Sequence, residues 1–382
     1  MNEQAELRHW LIALRTPGLG PGGLRERMAA AQGRIEEVLG QLRRHAAALD
    51  ARAPAWLEQP DEAQLAADLA WLALPGHRLL RYTDADFPPQ LETIPQPPAA
   101  LFLSGDSSLL LHPQVAIVGA RSASAAGKAN ARSFARSLAQ AGFVVTSGLA
   151  DGIDAAAHEA ALDAARPTIA VIGTGPDLVY PRKHRALSAR VETQGLLVSE
   201  FPPGTAARAD HFPRRNRIIA GLSLGTLVIE AGLQSGSLIT ARLAAEQARE
   251  VFAVPGSIQN PLARGCHRLI RDGARLVESA SEIVQSLVPA ARALGVELAQ
   301  RLEQPAAAPG KGSRAAAGGW RADPEYQRLL DALGHDPVAL DELSTRTGQA
   351  AAVLSSMLLM LELEGCVEGL AGGRYQRLPD LP

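Results

Sequence analysis

A chain of 382 residues, 47% hydrophobic and 20% charged, has room for two or three domains and is too apolar to be disordered overall. No uncharged apolar run reaches the roughly 18 residues of a membrane span, and "MNEQAELRHW" lacks the basic start and apolar core of a signal peptide. Cys266 and Cys366 show no metal spacing, so free thiols in a reducing cytoplasm are expected. The formal charge of −2 hides an asymmetry: residues 112–288 carry +5, residues 1–111 carry −4 and residues 319–382 carry −5. A polyanion would therefore be drawn to the middle of the chain.

Residues 1–75 repeat Leu, Ala, Arg and Glu at helical spacing, and a helical domain is expected over 1–80. Within it, "LRTPGLGPGGLRERM" contains a literal G-x-G-x-x-G at Gly18, Gly20 and Gly23. The dinucleotide fingerprint requires a preceding strand, which is absent here, so a tight turn between two short helices is expected instead. Residues 82–113 are rich in proline and contain one short strand candidate, "ALFLSG".

From residue 114 the pattern changes. Apolar runs recur at 115–120, 143–148, 168–175, 196–201, 226–231, 251–256 and 275–279, mostly with helical patterns between them. Continuous apolar strands alternating with helices predict a doubly wound α/β domain, a mostly parallel sheet covered on both faces, placed at 81–288. Residues 289–322, including "QPAAAPGKGSRAAAGG", read as an Ala/Gly/Pro linker. Residues 323–382 read as three helices followed by two short strands about a Gly-Gly turn, a winged-helix pattern.

In such sheets ligands bind beyond the carboxyl ends of the strands. Those ends are small or polar: Arg121-Ser122, Ser147-Gly148, Gly173-Thr174-Gly175, and Gly236-Ser237 where a helix opens. Helix N-termini and close backbone amides suit phosphate. No Walker loop exists, since "GARSASAAGK" spaces its glycines eight apart, and "GTGPDL" lacks the third glycine of a nicotinamide site. No cofactor, metal or catalytic centre is expected. Asp154 and His158 are four apart on one helix, but a capping Asp and a buried, hydrogen-bonded His explain them better. Glu230 is the carboxylate best placed for chemistry, with a hydrogen bond to loop amides as the alternative.

"HFPRRNRIIAGLS" sets Phe212 beside Arg214, Arg215 and Arg217, directly before a buried run. An aromatic face beside cations is the mixture that single-stranded nucleic acid binds, with bases on the ring and phosphates on the cations. The motif is expected as a loop and helix start. The alternative is that one of these arginines is structural, capping the preceding sheet, while Phe212 fills the core.

The blocks "AIVGARSAS", "SGLADGIDAAAHEAAL", "AVIGTGPDLVYPRKHRAL", "LLVSEFPPGT", "FPRRNRIIAGLS" and "SGSLITARLAAEQAREVFAVPGS" stand in one order over 114–288. In them the chain resembles the bacterial DNA-processing protein A family (DprA/Smf). The N-terminal helices resemble that family's SAM-like domain, and the last 60 residues its winged helix. The resemblance implies an extended Rossmann domain that binds single-stranded DNA without ATP and dimerises, in a non-enzymatic protein that loads RecA recombinase during natural transformation. By position, Arg121 would hold a phosphate and Phe212 would stack on a base. Asn216, Arg217 and the Gly236-Ser237 helix start would line the same pocket, and Arg182 and Lys183 would add charge. Pro176 and Asp151 depart from the family pattern. A phosphoribohydrolase reading rests on "AGLSLGTLVIEAG" alone; its Gly225-Thr226 stands one residue too far from Glu230 and no Pro-Gly-Gly precedes it.

Overall fold

The structure, a computed structural model, describes residues 3–303, 324–334, 337–347, 354, 358, 361, 367–370 and 374–377. They fall into two compact units, 1–310 and 311–382.

The first unit opens with five helices, α1 (Glu3–Arg15), α2 (Pro21–Ala30), α3 (Ile35–Arg44), α4 (Ala53–Glu58) and α5 (Glu62–Leu72). Trp10, Leu11 and Ile12 of α1 bury against Leu24, Met28, Leu39 and Leu42. The glycine-rich segment is the turn between α1 and α2, with Pro21 as the first residue of α2 and Gly23 inside it. Gly18 sits at φ +77°, and a Cβ there would lie 2.9 Å from the Leu49 backbone. Its glycine therefore serves helix packing.

Nine strands follow: β1 (His77–Arg81), β2 (Ala100–Gly105), β3 (Gln114–Gly119), β4 (Val144–Ser147), β5 (Thr168–Ile172), β6 (Leu196–Ser199), β7 (Gly225–Ile229), β8 (Glu250–Ala253) and β9 (Arg275–Leu276). Their order is β1-β2-β6-β5-β4-β3-β7-β8-β9. β3 through β9 run parallel, and β2 joins them antiparallel to β6 with β1 at its outer edge. The helices are α6 (Ala125–Gln140), α7 (Ile153–Asp163), α8 (Arg185–Gln194), α9 (His211–Leu222), α10 (Ser237–Glu246), α11 (Arg264–Arg271) and α12 (Ala280–Glu303). Alternate residues of β3 face opposite layers. Val115 and Ile117 pack with α6, α7 and α12, while Ala116 and Val118 pack with α9, α10 and α11. This is the doubly wound fold that the alternating pattern predicted.

Four details differ from the sequence reading. Strand β1 was not expected; it is a mixed "HRLLR" segment with only Leu79 and Leu80 buried. The parallel strands end before their apolar runs do, so Gly173 to Gly175 form a loop after β5. "HFPRRNR", expected as a loop and helix start, is helical throughout from His211 onward. Finally, α12 continues through Pro289 to Glu303, with Leu294 and Leu298 in the core beside α6. Residues 289–303, expected as linker, are therefore helical; the low-complexity stretch from 304 to 319 lies outside the described residues.

The second unit contains α13 (Pro324–Leu333), β10 (Val338–Ala339), α14 (Leu340–Thr347), β11 (Val367–Leu370) and β12 (Arg374–Arg377). The sheet order is β10-β12-β11, antiparallel throughout. Helical Leu354, Leu358 and Leu361 join Leu329, Leu333, Leu343 and Val367 in its core. It is a winged helix with one strand more than expected. Most of the expected third helix, the Gly-Gly turn and Cys366 lie outside the described residues. Cys266 is a free, buried thiol. Among the described residues no helix is long and apolar enough to cross a membrane.

Candidate nucleic-acid interface

β3 is the switch point of the sheet, since the chain continues to β4 on one side and to β7 on the other. The crevice beyond its carboxyl end is where open α/β sheets bind ligands. A cleft of about 790 Å³ lies there, lined by Gly119 to Ser122, Tyr180, residues 207–209, the first turns of α9, Gly232 and residues 234–237.

The cleft combines ring faces with positive charge. The Tyr180 and Phe212 rings stand 5.4 Å apart at 39°. The Arg121 guanidinium carbon lies 5.6 Å from the Phe212 centroid, within cation–π reach. Arg121 and Ser122 are exposed and Tyr180 is half exposed. The N-terminus of α10 opens onto the same space at Gly236, which carries no side-chain cap. The Ser235 and Ser237 hydroxyls are 2.7 Å apart beside it. The helix end adds partial positive charge, while the Ser237 amide donates to the Ser235 hydroxyl and the Leu238 and Ile239 amides donate to the Ser235 and Gly236 carbonyls.

The model of the DNA recombination-mediator protein A family matches residues 78–288, and that of the DprA winged helix domain matches 298–373. This chain belongs to the DNA recombination-mediator protein A family. It is 42% identical over 312 residues to protein Smf of Escherichia coli (strain K12), covering 81% of this chain and 80% of that one. The X-ray structure of DNA processing protein A (DprA) from Streptococcus pneumoniae matches it with a TM-score of 0.64 at 37% identity, over 73% of this chain and 97% of that one. A structure of DNA processing protein A from Helicobacter pylori, reporting its single-stranded DNA binding mode, matches with a TM-score of 0.51 at 29% identity, over 56% and 96%.

In this DprA-family chain the cations of "FPRRNR" divide by helix face. Arg215 is buried, and its Nη1 donates to the carbonyls of Gly148 (2.7 Å) and Val171. A Cβ at Gly148 would strike that guanidinium at 2.3 Å. Burial lowers the Arg215 pKa to about 10, against the attraction of Asp154. Asp154 accepts from the Gly148 and Ala150 amides, and burial raises its own carboxyl pKa. Only part of Arg215 reaches the cleft floor, where Asn216 also lies.

Arg217, expected as a contact, does not line the cleft. It is buried, with Nη2 2.5 Å from Glu200, itself buried. Arg214 shares Glu200 at 3.0 Å, is partly exposed, and lies over Phe201, whose ring stacks on His211. The helical phase accounts for this split: residues 215 and 217–222 turn inward and Pro213 and Arg214 outward.

Of the other expected residues, Gly236 and Ser237 line the cleft with Arg121, Ser122, Phe212 and Asn216. Ser147 is buried and donates to the Ile117 carbonyl. Gly173 gives room to the Phe212 ring, since a Cβ there would sit 3.0 Å from it. Thr174 donates to the Leu178 carbonyl and the Gly175 amide to that of Thr205. These groups build the wall behind the cleft. Arg182 is exposed but outside the lining, and Lys183 pairs at 2.9 Å with Asp151, which also holds His184.

Tyr180, Arg208 and Gln234 line the cleft and were missed. Tyr180 could have been found, as an aromatic directly ahead of the basic "PRKHR". The two candidate chemistries dissolve. His158 is wholly buried on the Thr168 hydroxyl, apart from the bonds of Asp154. Glu230 accepts from the Ser124 amide and hydroxyl at the start of α6, and from Asn260.

Proposed function

We propose that this chain binds single-stranded DNA in the cleft beyond β3 and β7, without a nucleotide cofactor, and passes it to a RecA recombinase as a homodimer built on the Rossmann domain. The observation that carries the reading is the Arg121–Phe212–Tyr180 cluster at the mouth of a helix N-terminus. The paired rings offer bases an apolar face, while Arg121 and the positive end of α10 meet phosphate. Family membership and the Helicobacter pylori relative support it.

The role given to each residue sets the test. Fluorescence anisotropy with a labelled single strand, over a salt series and with no nucleotide, should give log Kd rising with log salt by about 0.7 per phosphate contacted. Arg121→Ala should weaken binding and reduce that slope by about one contact. Phe212→Ala should weaken binding by about 1–3 kcal/mol and leave the slope unchanged. Equal affinity for duplex, or wild-type behaviour of both variants, would sink the assignment. Delivery to the recombinase is checked by whether wild-type protein, but not these variants, speeds filament formation on a coated single strand.

A further inference from the structure

The rim of the cleft contains an unusual stretch. Residues 207–209 line it, are exposed, and lead into α9 at His211. The segment just before them is anchored three times. The Gly204 amide donates to Asp177 at 2.7 Å, and the Gly175 amide donates to the Thr205 carbonyl at 2.8 Å. The third anchor comes from the other end of the chain. Arg15, the last residue of α1, donates through Nη2 to the Pro203 carbonyl at 2.7 Å. The same guanidinium forks onto Asp68 of α5, with Nε and Nη2 each 2.6 Å from a carboxylate oxygen.

Asp68 is 1% exposed and Arg15 11%, so this is a buried, bidentate pair rather than a surface contact. The second Nη2 hydrogen, which the carboxylate does not use, is taken by the Pro203 carbonyl. We propose that Arg15 is a positioning residue through which the N-terminal helices hold the cleft rim, so that they govern single-stranded DNA binding without touching it. This rests on the DNA-binding reading above. Three hydrogen bonds from one planar group tie α1, α5 and the 203–205 segment together. Beyond Thr205 the rim is held mainly at its far end, where the His211 amide donates to the Arg208 carbonyl. Loss of the Pro203 bond would remove one of the three anchors behind Ala207, Arg208 and Ala209, leaving those at Gly204 and Thr205 to hold a looser rim.

Arg15→Met keeps the aliphatic packing and removes all three bonds; Arg15→Lys keeps a cation beside Asp68 without the planar fork. Hydrogen exchange on the full-length protein, without DNA, reads the anchor directly. Exchange of the Gly204 and Thr205 amides should rise by about tenfold or more in Arg15→Met and less in Arg15→Lys, while α1 amides keep their protection. Affinity for a labelled single strand should fall about three- to tenfold with an unchanged salt slope, since no phosphate contact is lost. Wild-type exchange at Gly204 and Thr205 overturns the proposal, as does raised exchange with wild-type affinity. If Arg15→Met fails to fold, the Lys variant decides on the same readouts. Phe212→Ala run in parallel separates the two readings: if it too binds as wild type, the DNA assignment falls, and the anchor is judged by exchange alone.

Discussion

At the scale of single residues, charge in this protein is divided between holding and binding. Arg217 and Glu200 are both buried, and removing Arg217 leaves Glu200 only the partly exposed Arg214 as an ionic partner. Arg217→Ala should therefore cost about 3–5 kcal/mol of stability in urea denaturation. Arg121→Ala, at an exposed position, should stay within about 0.5 kcal/mol of wild type. His158 supplies the pH dependence. Burial, reinforced by the Arg215 charge, lowers its pKa from 6.5 to about 3. Above about pH 6.5 the imidazole is neutral in both folded and unfolded chains, and its contribution is fully present. Below that, the unfolded chain takes up a proton that the native chain refuses until about pH 3, so stability falls with pH across this window. The limiting slope is about 1.4 kcal/mol per pH unit. Chemical denaturation between pH 7 and 5 should show that loss, and His158→Gln should reduce it.

At the scale of elements, what was legible followed from local period. Runs such as "VAIVGA" are apolar on both faces because helices cover both, and they marked the parallel strands correctly. β1 was not legible: two arginines and a histidine in five residues mask a strand that buries only its centre, at the sheet's edge. The helix start at α9 was expected, but part of "HFPRRNR" reads as loop because Pro213 and three arginines suggest one, although proline in a first turn removes only an amide that has no partner there. For the site, "GARS", Phe212 and "SGS" were readable as residue types at strand ends. The facing of Arg217 was not, because it depends on Glu200, seventeen residues away and on another element. α12 gives the element-scale prediction. Leu294→Ala should lower stability by about 2–4 kcal/mol, because its side chain is 5% exposed in the core beside α6. A neutral result in urea denaturation would place the end of the domain near residue 288.

At the scale of the whole molecule, the cleft lies entirely within the first compact unit, and its residues come from 118 to 262. Residues 319–382 carry −5, the wrong sign for a phosphate polymer. Removing residues 311–382 should leave the single-strand Kd within about twofold, measured at fixed salt. A larger loss would move part of the interface onto the winged helix.

The first turns of α9 have a consequence for how the chain can vary in length. One face fills the interior with Arg215 and Arg217, while Phe212 and Asn216 look into the cleft. Inserting or deleting a single residue there would rotate everything beyond it by about 100° about the helix axis. It would exchange a sealed cation for a solvent-facing one at every step. Residues 206–210, all exposed, face no such constraint. For folding, insertions should be accepted up to Asp210 and rejected from His211 onward, a boundary that a deep insertion scan read by the yield of folded protein would show as a single sharp edge.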